Sequence, residues 1–183
     1  MRPHACRTSR PFSNRDAFAD NPHWAGCYCY YNLADNAERP WEERSGADNR
    51  QAVQELIQSG RMRGYLAYAG GMPVGWCHAA PRPMIPNVDP SSDLAAGDPQ
   101  AVGSIVCFVV ARPQRGRGIA TRLLDAACEG LHKDGVRVVE AYPRMEAETD
   151  AGNYHGPLSM FLESGFVKYR ETDEVVVVRK SLE

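Results

Sequence analysis

The chain has 183 residues, and its 21 basic and 23 acidic side chains leave a formal charge of −2. That is the size of one ordinary domain and gives no electrostatic reason to grip nucleic acid or an anionic membrane. Its 43% hydrophobic residues come in short runs, none long enough to span a bilayer, and its six cysteines lack the spacing of a secreted disulfide framework, so a cytoplasmic setting is expected.

Arg2, Arg7, Arg10 and Arg15 open the chain with no apolar run behind them, which is not a secretory signal. Residues 1–15 are expected to form a flexible basic arm, and residues 16–183 a single domain. Residues 24–33 alternate, predicting a strand with Cys27, Cys29 and Tyr31 on one face and Tyr28 and Tyr30 on the other. In 48–59, Val53, Leu56 and Ile57 recur at helical spacing before Gly60, which reads as a short amphipathic helix. Residues 64–69 and 74–79 form a predicted antiparallel hairpin around Gly70-Gly71-Met72-Pro73.

Residues 81–100 hold five prolines among Asp, Ser and Gly, the composition of a long surface loop that could act as a lid. The most apolar stretch comes next, at 102–111, as expected of a central strand covered on both faces. A helix over 118–133 then sets Ile119, Leu123, Leu124, Ala127, Cys128 and Leu131 on one side. A strand at 136–142, a short helix at 156–163 and a hairpin of 166–170 with 174–180 complete a mixed α/β domain with no internal repeat.

The informative segment joins that apolar strand to that helix: Val110-Ala-Arg-Pro-Gln-Arg-Gly-Arg-Gly-Ile-Ala-Thr121. Gly116 and Gly118 allow successive N–H groups to converge on an anion, the helix N-terminus adds its dipole, and Arg115 and Arg117 add charge. A dinucleotide turn needs a third glycine where Thr121 stands, and a triphosphate P-loop needs a Lys-Ser/Thr that is missing. Taken alone, the loop would also serve as a plain helix start on a basic surface.

The pattern resembles the acetyl-CoA pyrophosphate loop of the GNAT superfamily of N-acyltransferases, with Arg115, Gly118 and Ala120 at its marked positions. Ser159-Met-Phe-Leu-Glu-Ser-Gly-Phe166 likewise resembles the family's C-terminal helix, and the likeness covers about residues 64–180. It implies the GNAT fold: a central, mostly antiparallel, twisted sheet with one splayed parallel strand pair, flanked by helices. It also implies acetyl-CoA as cosubstrate, held by Arg115, Gly116, Arg117, Gly118, Ile119, Ala120 and Thr121. The pantetheine arm would lie along backbone groups of Phe108, Val109 and Val110. The acceptor it implies is a small-molecule or peptide amine, with no metal, and homodimers are common among relatives.

Acyl transfer needs a neutral amine, a polarised carbonyl and a proton for the leaving thiolate. The family's acidic tyrosine would fall at 161, where this chain has Phe161. Tyr142 and Tyr154 are the candidates to replace it, and Glu140 is the first candidate base, with His78 second. Phe161 also keeps open a protein that binds acyl-CoA without transferring the acyl group. Cys27, Cys29, Cys77 and His78 could be read as a zinc site, but no C-x-x-C or second His pair supports it. Trp24, Tyr28, Tyr30, Tyr31, Trp41 and Trp76 are expected to pack the core or to build an aromatic acceptor pocket.

Overall fold

The computed structural model describes residues 17–88, 101–146, 149 and 152–183, so the expected arm at 1–15 and most of the loop at 81–100 lie outside the described residues. Six strands form one sheet: β1 (Gly64–Ala69), β2 (Met72–Pro81), β3 (Val102–Val110), β4 (Val138–Ala141), β5 (Val167–Glu171) and β6 (Val176–Ser181). Their order is β1-β2-β3-β4-β6-β5. Only β3 and β4 run parallel, because the chain between them crosses over through a helix, whereas the other pairs are antiparallel.

Among the described residues three α-helices accompany the sheet: α1 (Gly46–Gln58), α2 (Ile119–Lys133) and α3 (Leu158–Glu163). Leu123, Leu124, Ala127 and Leu131 of α2 and Phe161 of α3 pack on one sheet face with Cys77, Ile105, Phe108 and Val139. The other face carries Val106, Cys107, Tyr142 and Val177, covered by α1 and the segment around Cys29. A Ser45–Asp48 capping box starts α1 two residues before the expected boundary.

The pairing of β3 is irregular on both of its edges. The β2–β3 register slips between His78 and Ala79, which face Cys107 and Ile105, so Val106 is the extra residue of a bulge. The β3–β4 ladder stops at Ile105 opposite Ala141, and β3 runs on to Val110 without its parallel neighbour.

Residues 24–33 overturn the expected strand. Pro22–Gly26 is a 3-10 helix, and successive turns come after it, with Cys27 N–H donating to Trp24 O at 3.0 Å, Tyr30 N–H to Cys27 O at 2.9 Å and Leu33 N–H to Tyr30 O at 2.8 Å. Tyr28 and Cys29 take φ of 52° and 56°. Alternation marks a strand only where a neighbouring strand accepts its ladder; this segment bonds to itself and lies on the sheet face.

His78 is buried, and its Nδ1 has no hydrogen-bond partner. Burial pushes it from the ordinary 6.5 down to about 4. The unfolded chain therefore takes the proton first as the pH falls, so stability present above about 6.5 drains away toward about 4. We expect urea unfolding at about pH 4.5 to show roughly 2 kcal/mol less stability than at pH 7 from this residue. His78→Gln should flatten that slope; an unchanged slope would exclude His78 as its source.

Candidate functional site

A cleft of about 1080 Å3 opens beside the far half of β3. Phe108, Val109 and Val110 line it from the sheet, Gly116 and Gly118–Thr121 from the loop and first turn of α2, and Tyr142, Tyr154 and His155 from beyond β4. Trp24, Cys27, Cys29, Tyr31 and Trp41 form its N-terminal wall.

The glycine loop leaves β3 through a 3-10 turn at Arg112–Gln114. Gly116 and Gly118 sit at φ of 70° and 71°, in the left-handed region that side chains with a Cβ disfavour. Gly118 is the N-cap of α2 and supplies no side-chain cap, so the N–H groups of Ile119, Ala120 and Thr121 are left without intrahelical acceptors. A Cβ added at Gly118 would meet nothing within 4 Å, so the space before those donors is open. The helix dipole makes it attractive to an anion.

The two arginines of the loop part ways. Arg115 turns back: its guanidinium pairs with Asp20, donates to Ala17 O at 3.1 Å and to Val110 O at 3.2 Å. The Arg115 guanidinium beside it holds the Asp20 carboxyl below its ordinary value. Arg117 is exposed and does not line the cleft.

Past the bulge, β3 presents alternate backbone groups to the gap left by β4. Ala111 N–H donates to Val74 O at 2.9 Å, and Val109 faces Trp76 in the ladder with the same parity, which turns its backbone toward β2. Phe108 and Val110 therefore face the gap. There Phe108 N–H donates to Tyr154 O at 2.6 Å, and His155 Nδ1 lies 2.9 Å from Val106 O.

Glu140 is buried at 1% exposure, held between two arginines: Arg82 Nη1 donates to Oε2 at 2.8 Å and Arg179 Nε to Oε1 at 2.6 Å. Tyr142 O–H donates to the same Oε2 at 2.9 Å, and its oxygen lies 3.1 Å from both Arg82 Nη1 and Ser104 Oγ. Burial first, and the Glu140 charge second, push the Tyr142 phenol above its ordinary value. This geometry does not suit Glu140 to the role of base: the carboxylate is buried, already accepts from two guanidinium groups and a phenol, and does not line the cleft.

The acetyltransferase (GNAT) family model matches residues 23–156. The chain belongs to the GNAT family of acetyltransferases. Among solved structures, the PaiA N-acetyltransferase of Thermoplasma acidophilum in complex with coenzyme A aligns over 93% of this chain and 89% of its own at a TM-score of 0.55 and 14% identity. The ribosomal-protein-alanine N-acetyltransferase of Brucella melitensis aligns over 92% and 98% at a TM-score of 0.52 and 20% identity. At those identities the likeness concerns the fold. No curated protein matches the chain in sequence.

Phe161, where the sequence resemblance would put a tyrosine, is fully buried in an aromatic stack with Phe108 and Phe166, at ring separations of 6.2 and 5.2 Å. Gly156 sits at φ 87°, and a Cβ there would come within 2.8 Å of Met160 Cε, so α3 needs a glycine just ahead of it. Cys77 lies on the opposite sheet face from Cys29, which separates the residues of the imagined zinc site; among the described residues no three His, Cys, Asp or Glu gather as a metal would require.

The sequence passed over His155. Its ring stacks on Tyr154 at 4.0 Å between centroids, and donating Nδ1–H to the Val106 carbonyl leaves Nε2 as the ring's acceptor. Burial, the main cause, pushes it down to about 4, so it is neutral near pH 7. The only sequence signal was a histidine two residues before Pro157 in a loop leading to the family's C-terminal helix.

Glu140→Ala would remove the buried carboxylate that both Arg82 and Arg179 bond and should cost about 3–5 kcal/mol in urea unfolding. Stability within about 1 kcal/mol of wild type would show that the two ion pairs do not hold this end of the sheet.

Proposed function

We propose that this chain is an N-acetyltransferase that takes its acyl group from acetyl-CoA and passes it directly to a primary amine in a ternary complex. The observation that carries this is one juxtaposition: the edge of β3 that β4 leaves runs straight into the open N-terminus of α2 along a single cleft.

The residues present fit such a cosubstrate. A pyrophosphate needs several N–H donors and room before them, which Gly116 and Gly118–Thr121 offer, and a pantetheine arm needs backbone partners in line with them, which Phe108 and Val110 offer in exchange for Tyr154 and Arg115. Arg115 would then act chiefly by clasping Asp20 and Ala17 against the loop, leaving exposed Arg117 as the mobile charge at its rim. When bound, the cosubstrate supplies a thioester carbonyl open to attack by an amine.

Within the cleft, neutral His155 offers Nε2 as a hydrogen-bond acceptor that can orient the incoming amine or a water, its ring fixed by the Val106 carbonyl. Glu140 holds the phenol of Tyr142 at the cleft wall, and through Tyr142 also holds Ser104, so both expected catalytic residues serve as positioning residues. The N-terminal wall, with Trp24, Tyr31 and Trp41, fits the acceptor side. A second reading, binding of acyl-CoA without transfer, draws on the burial of Phe161, which leaves no phenol at that position.

Calorimetry of acetyl-CoA with wild type and with Gly118→Glu tests the proposal. Wild type should bind, and the variant should bind at least about 100-fold more weakly, roughly 2.7 kcal/mol, with an unchanged circular dichroism spectrum. Absence of binding by wild type would overturn it. Binding without thiol release across a panel of amines would favour the second reading.

A further inference from the structure

Among the described cysteines, two meet across 78 positions of sequence: Cys29 Sγ donates to Cys107 Sγ at 2.9 Å. Both are nearly buried, at 6% and 7% exposure, and both line the cleft. Cys29 belongs to the N-terminal wall, and Cys107 to β3 just past the bulge, next to the Phe108 N–H that faces the gap. We infer that Cys29 and Cys107 are a redox couple whose disulfide covalently fastens the N-terminal wall of the cleft to the central strand.

Three features carry this. The sulfurs need approach by only about 0.9 Å to reach bonding distance, and they already face one another. The backbone at Tyr28 and Cys29 stays left-handed at two successive residues other than glycine, a conformation that presents Cys29 to β3 although it is disfavoured locally. Cys107 is held in the β2–β3 ladder opposite His78 at the edge of the bulge, which fixes the strand that carries its sulfur. Of the other described cysteines, Cys77 and Cys128 lie in the core on the other face of the sheet, and Cys27, on the same cleft wall as Cys29, is the competitor that a peptide map separates.

The oxidant is a small disulfide entering through the cleft. One protein thiolate attacks it, forming a mixed disulfide and releasing one small thiolate; the second protein thiolate displaces the other. Two protein thiols are oxidised, one external disulfide is reduced to two thiols, and the two protein protons go to those products. The Cys107 contact first, and burial second, push the Cys29 thiol well up, so the reaction is slow at neutral pH and faster in alkali.

The test uses the full reduced chain, incubated with oxidised glutathione at about pH 8.5. Thiol titration after denaturation should fall from six to four, and a non-reducing peptide map should show Cys29 joined to Cys107. Closing so long a loop should raise Tm by about 5–10 °C, reversed by dithiothreitol. Cys29→Ser and Cys107→Ser should each abolish the bridge and the shift. Retention of all six thiols, a Cys27–Cys29 bridge, or glutathione adducts alone on wild type would overturn the inference whatever the variants do. None of these readouts involves acyl transfer, so they stand or fall apart from the proposed function.

Discussion

The parting of β3 from β4 is the constraint on which the rest of the site depends. A strand in the middle of a sheet has donors and acceptors on both edges, and buried backbone groups must find partners. Up to Ile105 those of β3 are met by β4; beyond it β4 turns away to β6, where Val176 N–H donates to Pro143 O at 2.8 Å. The exposed edge of β3 is then met by Tyr154 and His155 from the chain itself. Any extended ligand laid along β3 must exchange with that internal strap, so the groove and its competitor are one structure.

Buried charge keeps the two strands at their fixed divergence. Glu140 on β4 meets Arg179 on β6 and Arg82 beyond β2, while Tyr142 reaches across to Ser104 on β3 at the last paired rungs. Such an ion pair adds little net stability over an apolar packing but tolerates few alternative arrangements, because leaving any member unpaired in the interior is costly. At the other end the Arg115–Asp20 clasp joins the glycine loop to the N-terminal wall. The Arg115–Asp20 clasp and the touching Cys29 and Cys107 all line the cleft, so two side-chain contacts join its N-terminal wall to β3 and the loop after it.

Much of this was legible in the amino-acid sequence. The apolar run at 102–110 and the helical spacing of Leu123, Leu124, Ala127 and Leu131 specify β3 and α2, and the glycines between them mark the loop, because each signal is local. Residues 24–33 alternate without forming a strand: successive turns bring Tyr28, Cys29 and Tyr30 into one cluster, and nothing local in the sequence reveals that no strand pairs with them. Glu140 looked catalytic as a lone charge in an apolar strand; its partners, Arg82 and Arg179, are 58 and 39 residues away in sequence. The bulge at Val106 and the orientation of His155 are equally invisible, since both arise from pairing between distant segments.

The central claim is that the uncapped first turn of α2 and the glycine loop before it hold the pyrophosphate of acetyl-CoA. Hydrogen–deuterium exchange of a peptide spanning about residues 112–124, with and without acetyl-CoA, tests it most directly. The N–H groups of Ile119, Ala120 and Thr121 have no intrahelical acceptor in the free protein, so their exchange should slow about tenfold or more when the ligand is added. Binding of acetyl-CoA that leaves exchange in this peptide unchanged would contradict the account and move the cosubstrate to another surface.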